Sequence, residues 1–208
     1  MEKMEHEILM TAMEMFGKYG LKPVTMDDLA GELNISKKTL YKYVKNKQDL
    51  VQQTVKEVFT HISQHMHEVK ATSEDAIDEL FKLDEVVCST VENYNHSLQF
   101  QLKRYYPEIH GWLEGKRKDM VLGLIGSNIK NGVREGLYRP DLNQEIITLL
   151  YYSRMVVLIG EEIEPFKNYD TKEVMREILV YHIRGMATAQ GLEKLEQRLK
   201  LNTENEKN

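Results

Sequence analysis

Between Ser36 and Gln48 the chain carries Lys37, Lys38, Lys42, Lys45 and Lys47 and no acidic residue, with Tyr41 and Tyr43 standing among the lysines. Cations interleaved with hydroxyl-bearing rings are the residue types that meet phosphate oxygens and base edges, so the chemistry on offer is the binding of a polyanion. A helix face that is merely solvated mixes charges of both signs for i, i+4 support and has no reason to display two tyrosines. Other chemistries find less to stand on. His61 and His65 lie at i, i+4 with Glu57 one turn earlier, which is workable metal-ligand spacing on one helix face, but no Glu follows His61 as in a zinc-protease motif. That group reads as a polar face, and neither a metal nor a cofactor is assigned. Cys88 has no neighbouring His in sequence to activate it, and Gly-x-Ser-x-Gly, Cys-x-x-Cys and a Gly-rich phosphate loop are all missing. The chain is not expected to be an enzyme.

The lysines must be held by something. Met26, Leu29, Ala30 and Leu33 recur at i, i+3, i+4, i+7, giving one apolar helical face, and Thr25 with Asp28 three residues on matches a capping box. Asn34 is suited to the left-handed conformation that ends a helix abruptly. Ile35 plugs the angle that follows, and Ser36 caps a second short helix. In that helix Leu40 and Val44 face inward at i, i+4, leaving Lys37, Lys38, Thr39, Tyr41, Lys42 and Tyr43 outside. Residues 25–50 thus read as two short helices, a tight turn between them, and the start of a third, longer helix. Such a unit presents its second helix to DNA.

The remainder reads as helix throughout. The helix opening near Asn46 carries Val51, Val55, Val58, Ile62 and Val69 at helical spacing and is long enough to act as a lever. Further helices are expected at 74–104, 108–114, 116–134, 143–163 and 171–190, separated by Pro107, by Gly136 with Pro140, and by Pro165. The run 146–159 is apolar on nearly every face and must be covered all round. The fold class is all-α: an N-terminal three-helix DNA-binding domain at 1–48, a helical body at 49–192 and a polar C-terminal tail at 193–208 that frays from Asn202. Residues 1–50 hold 8 Lys+Arg against 8 Asp+Glu, so the whole net charge of −5 lies beyond Leu50. A neutral end with a basic face on an acidic body suits a protein that docks one end only onto a polyanion. One cysteine among 208 residues allows no intramolecular disulfide, the most apolar run is broken by Ser153 and Arg154, and no leader pattern precedes Ile8. A reducing cytoplasm and no membrane partner are expected.

With these residues in place the chain resembles the TetR-type bacterial transcriptional regulators. Ala12, Phe16 and Gly20 stand in that family's first-helix pattern; Thr25, Leu29 and Ala30 follow, and then Ser36, Thr39, Leu40, Tyr41, Tyr43, Val44, Lys47 and Leu50. Asn34 replaces the commoner Gly of the turn, and Val44 replaces a commoner aromatic. The resemblance covers about the first quarter of the chain. A weaker likeness at 132–143 bears on helix order alone.

The resemblance implies a ligand-responsive regulator, a repressor, binding a palindromic double-stranded operator as a homodimer and released by a small-molecule effector. Thr25, Ser36, Lys37, Lys38, Thr39, Tyr41, Lys42, Tyr43 and Lys47 would face DNA. Phe100, Tyr105, Trp112, Met120, Tyr151 and Met155 would line an effector pocket in the body, with His96, Gln99 and Arg104 as polar anchors. Leu150, Val157, Val174, Ile178, Ile183 and Met186, on the last two long helices, would meet a second subunit. Two alternatives stay open: a chromosome-associated structural or cell-division factor of the same fold without an effector, and a small-molecule-binding or enzymatic helical bundle that has lost DNA binding.

Overall fold

Capping and periodicity set the helices. The computed structural model describes residues 2–92, 96–159 and 168–205. Among them run α1 (Glu2–Tyr19), α2 (Met26–Glu32), α3 (Lys37–Leu40), α4 (Lys47–Thr72), α5 (Ala76–Glu92), α6 (His96–Tyr105), α7 (Pro107–Arg134), α8 (Gln144–Ile159), α9 (Thr171–Met186) and α10 (Ala189–Asn205). Among the described residues there is no β-strand, only an isolated bridge between Tyr138 and Ala187. No helix among them is long and apolar enough to cross a membrane.

The chain divides into two compact units: one of Met1–Gln64 with Asn95–Arg117, the other of His65–Tyr94 with Lys118–Asn208. The first differs from the boundary expected at residue 48, because it takes in much of α4, all of α6 and the start of α7. Its core joins Ile8, Ala12 and Phe16 of α1 to Leu29, Leu40, Val44, Leu50 and Val51, and adds Leu102, Ile109 and Leu113. The backbone N–H of Lys22 donates to Gln101 Oε1 at 3.1 Å, so α6 also grips the loop after α1. No local pattern announces such a contact across 79 residues.

In the second unit α5 packs on α9, and α10 packs on both. The network that locks it is polar and buried. Asn128 Nδ2 donates to Ala76 O (2.8 Å) and Glu79 Oε2 (3.0 Å), while the Tyr138 hydroxyl donates to Ala76 O (3.1 Å). Burial holds the Tyr138 phenol neutral by pushing it well above its ordinary value.

Several expected boundaries are corrected. The helix expected at 74–104 is two, α5 and α6, which belong to different units. Those expected at 108–114 and 116–134 are one: α7 runs straight through Gly115, because a helical glycine costs only about 1 kcal/mol and buried Leu113, Val121 and Leu124 offset it. The polar tail placed at 193–208 is helical to Asn205 in α10, where Leu195 is fully buried and Leu199 half-buried. Leu192, Leu195 and Leu199 make a short apolar stripe that the surrounding charges obscure. The break expected at Pro165 lies outside the described residues.

Candidate nucleic-acid interface

The interface is built from caps. Thr25 Oγ1 accepts from Asp28 N at 3.1 Å and Asp28 Oδ2 accepts from Thr25 N at 2.8 Å, a complete capping box that starts α2. The Thr25 hydroxyl, donating to Asp28 Oδ2 at 2.7 Å, and then the Thr25 backbone N–H hold the Asp28 carboxyl below its ordinary range. Asn34, at φ 53°, ends α2. Ile35 N donates to Ala30 O (3.0 Å) and Asn34 N to Gly31 O (3.1 Å), the paired closure of a Schellman motif. Ser36 Oγ then accepts from Thr39 N at 3.0 Å and opens α3. Two helices joined through one left-handed residue form a helix-turn-helix, with α3 as the reading helix.

Lys38 and Lys42 project freely, as does Lys45, and Tyr41 is exposed beside them. Thr25, Ser36 and Thr39 spend their hydroxyls on the caps and sit at the edges of this face. Lys37 is exposed but lies 2.7 Å from Asp27 on α2, which raises its pKa. The pair is solvated on both sides, so a phosphate can replace the carboxylate at little cost.

Two expected members turn elsewhere. Tyr43 packs half-buried on the core of the unit, and its carbonyl accepts from Gln53 Nε2. Lys47 Nζ donates to the carbonyl of Lys22 at 2.9 Å, and partial burial lowers its pKa. Both side chains are held within the first unit and stand back from the cationic face. The cause is the turn at 41–43, which bends the chain out of helical register before Tyr43.

The expected pocket residues are divided between the two units. Phe100, Tyr105 and Trp112 belong to the first unit. Phe100 and Tyr105 are exposed, with the Arg104 guanidinium 5.8 Å from each ring centroid, and Trp112 meets Phe59 edge-on at 5.8 Å. Met120 is half-buried in the second unit, Gln99 is half-buried in the first, and the side chains of His96, Met155 and Val157 lie outside the described residues.

Tyr151 is different. It is fully buried on α8, with Arg154 stacked 4.0 Å from its centroid and His182 of α9 edge-on at 5.2 Å. Arg154 Nη2 donates to Asp84 Oδ1 of α5 at 2.8 Å, both side chains being about nine-tenths buried. Burial pushes Asp84 up to about 6 although Arg154 pulls it down, and burial with the Arg154 charge lowers His182 to about 4. Arg154 Nε and Nη1 and His182 Nε2 remain buried without a hydrogen-bond partner among the described residues. Three polar atoms left so are costly. Sequence spacing puts His182 in the packing stripe of its helix and gives no signal for Asp84, because neither belongs to a local motif.

Of the expected subunit-contact residues, Ile183 and Met186 are fully buried within the single chain and Val174 nearly so; they are core. Leu150 is 56% exposed and Ile178 half-buried. Ile146, Leu149, Leu150 and Val156 instead form an exposed apolar stripe on α8.

A capped helix-turn-helix with a cationic reading face defines the class: a DNA-binding protein. Residues 8–54 match the model for "Bacterial regulatory proteins, tetR family". The chain is 23% identical over 189 residues to the HTH-type transcriptional regulator YhgD of Bacillus subtilis, covering 86% of this chain and 95% of that one. It is 28% identical over 118 residues to IcaR of Staphylococcus aureus, a negative regulator of the biofilm operon icaADBC, covering 56% of this chain and 63% of that one. Two solved structures share the fold. A regulator from Saccharomonospora viridis in complex with choline has a TM-score of 0.73 at 19% identity, over 90% of this chain and 100% of that one. FadR of Bacillus subtilis in complex with stearoyl-CoA has 0.65 at 17%, over 86% and 98%. At its DNA-binding end the chain matches the TetR-type family of bacterial transcriptional regulators, and the longer likeness to YhgD and to solved TetR-family structures supports a TetR-type regulator.

Proposed function

We propose that the protein is a ligand-responsive repressor that works in the cytoplasm, binds a palindromic operator as a homodimer and is released by a small-molecule effector. The observation that carries the DNA-binding half is the face of Lys38, Tyr41 and Lys42, left clear of the core while every cap beneath it is satisfied. Lys37 joins it on exchanging Asp27 for phosphate. Dimerisation is supported by the α8 stripe, since a helix with Ile146, Leu149 and Leu150 exposed is poorly covered in one chain.

The effector half is supported by the centre at Arg154. A ligand offering hydrogen-bond acceptors to Arg154 Nε and Nη1, and a polar atom to His182 Nε2, would satisfy what the fold leaves open. Relatives of the same fold were solved with choline and with stearoyl-CoA, so small-molecule binding is at home on this scaffold. Differential affinity of the effector for two arrangements of the chain would set operator affinity, with α4 and α7 both continuing from one unit into the other. The effector-free alternative draws support from Phe100 and Tyr105, whose rings are exposed, and from Trp112, which packs edge-on against Phe59.

Footprinting on the DNA upstream of the protein's own gene tests the reading. Protection of two half-sites spaced by about 34–36 Å, one helical turn, or a multiple of it, is expected. Binding without sequence preference on any duplex would favour the structural factor.

A further inference from the structure

Among the described residues one group of three potential metal ligands gathers at a point, and it is not the one that sequence spacing suggests. His65 turns to Glu68 (3.6 Å), while His61 and Glu57 of α4 are joined by His6 from α1, 51 residues before Glu57. His6 Nδ1 and His61 Nε2 each lie 3.2 Å from the same oxygen, Glu57 Oε1, and the three ligand atoms fall within 4.8 Å of one another. All three residues belong to the DNA-binding unit.

A neutral imidazole N–H···O hydrogen bond spans about 2.7–3.2 Å, so the two 3.2 Å contacts lie at the long end of that range. Ligands about 2.0–2.1 Å from a tetrahedral ion stand roughly 3.3 Å apart, close to the two nitrogen-to-Glu57 Oε1 separations of 3.2 Å, and the third edge lies within 4.8 Å. Two imidazoles and one carboxylate suit a borderline divalent ion such as Zn²⁺ rather than Mg²⁺ or Ca²⁺, which take oxygen ligands. Both histidines are more than half exposed, so the ion has a way in and water can complete its coordination.

We infer that His6, Glu57 and His61 form a binding site for a zinc-type divalent ion that clasps α1 to α4. The test is equilibrium dialysis of the full-length protein against ZnCl₂, with melting curves and the visible spectrum of the Co²⁺ form. One ion per chain is expected, with a higher melting temperature and Co²⁺ absorption lacking any thiolate band. His6→Ala and His61→Ala should each weaken Zn²⁺ binding by about tenfold or more and abolish the thermal shift, while His65→Ala leaves both unchanged. If an alanine variant fails to fold, His6→Gln or His61→Gln serves the same comparison. No ion retained by the unmodified protein, equal affinity after loss of His6, or a thiolate band implicating Cys88 would each overturn the assignment.

Discussion

Asn34 holds φ 53°, a conformation most side chains reach only at a cost, and the whole turn between α2 and α3 closes around it. Asn34→Ala should cost roughly 1 kcal/mol in urea unfolding, whereas Asn34→Gly should be near neutral. A second residue-scale expectation concerns pH. His182 is lowered to about 4 in the fold from an ordinary 6.5, so the unfolded chain binds more protons between those values. Its contribution is complete above 6.5 and is lost as pH falls towards 4, by on the order of 2 kcal/mol. Asp84, raised from 3.8 to about 6, has the opposite sign: the folded chain holds its proton longer, and stability declines as pH rises through that window. The two largely cancel in the unmodified protein. His182→Gln should therefore leave stability falling from about pH 4 to 6, and Asp84→Asn should leave it rising, as urea titrations at several pH values would show. Thr25, Asn34 and Ser36 were legible because each acts on backbone within a few residues of itself. Asp84, Arg154 and His182 were not a legible group, since only packing of α5, α8 and α9 unites them.

At the scale of elements, α10 is positioned by contact with the segment after α7. Thr188 N donates to Leu137 O at 2.9 Å, Arg139 N donates to Met186 O at 2.9 Å, and a side chain at Gly191 would press on the Leu137 carbonyl well inside contact distance. Backbone cannot step aside as a flexible side chain can. Gly191→Ala should thus destabilise by about 1–3 kcal/mol in thermal or urea unfolding, while Gly123→Ala, which meets nothing within 4 Å, should not destabilise. Helix existence was legible from apolar spacing; helix ends were less so. Gly115 is a breaker by composition, yet buried neighbours on both sides carry α7 through it. The charges of 193–200 hid the stripe of Leu192, Leu195 and Leu199 that docks α10.

For the whole molecule, the exposed α8 stripe sets the expected assembly. Leu150→Glu places a charge at its centre and should give monomers in sedimentation at micromolar concentration while leaving the helical signal intact; an unmodified protein that is itself monomeric would put the interface elsewhere. The central claim is that α3 reads DNA, and the salt dependence of affinity measures it most directly. By fluorescence anisotropy on the upstream duplex, the logarithm of the association constant should fall linearly with the logarithm of salt concentration. Lys38→Ala and Lys42→Ala should each flatten that slope by about 0.9. Lys47→Ala should change the melting temperature more than the slope, because its ammonium is spent on the Lys22 carbonyl. A slope unaltered in the Lys38→Ala, Lys42→Ala double variant, or no measurable duplex affinity at low salt, would contradict the account.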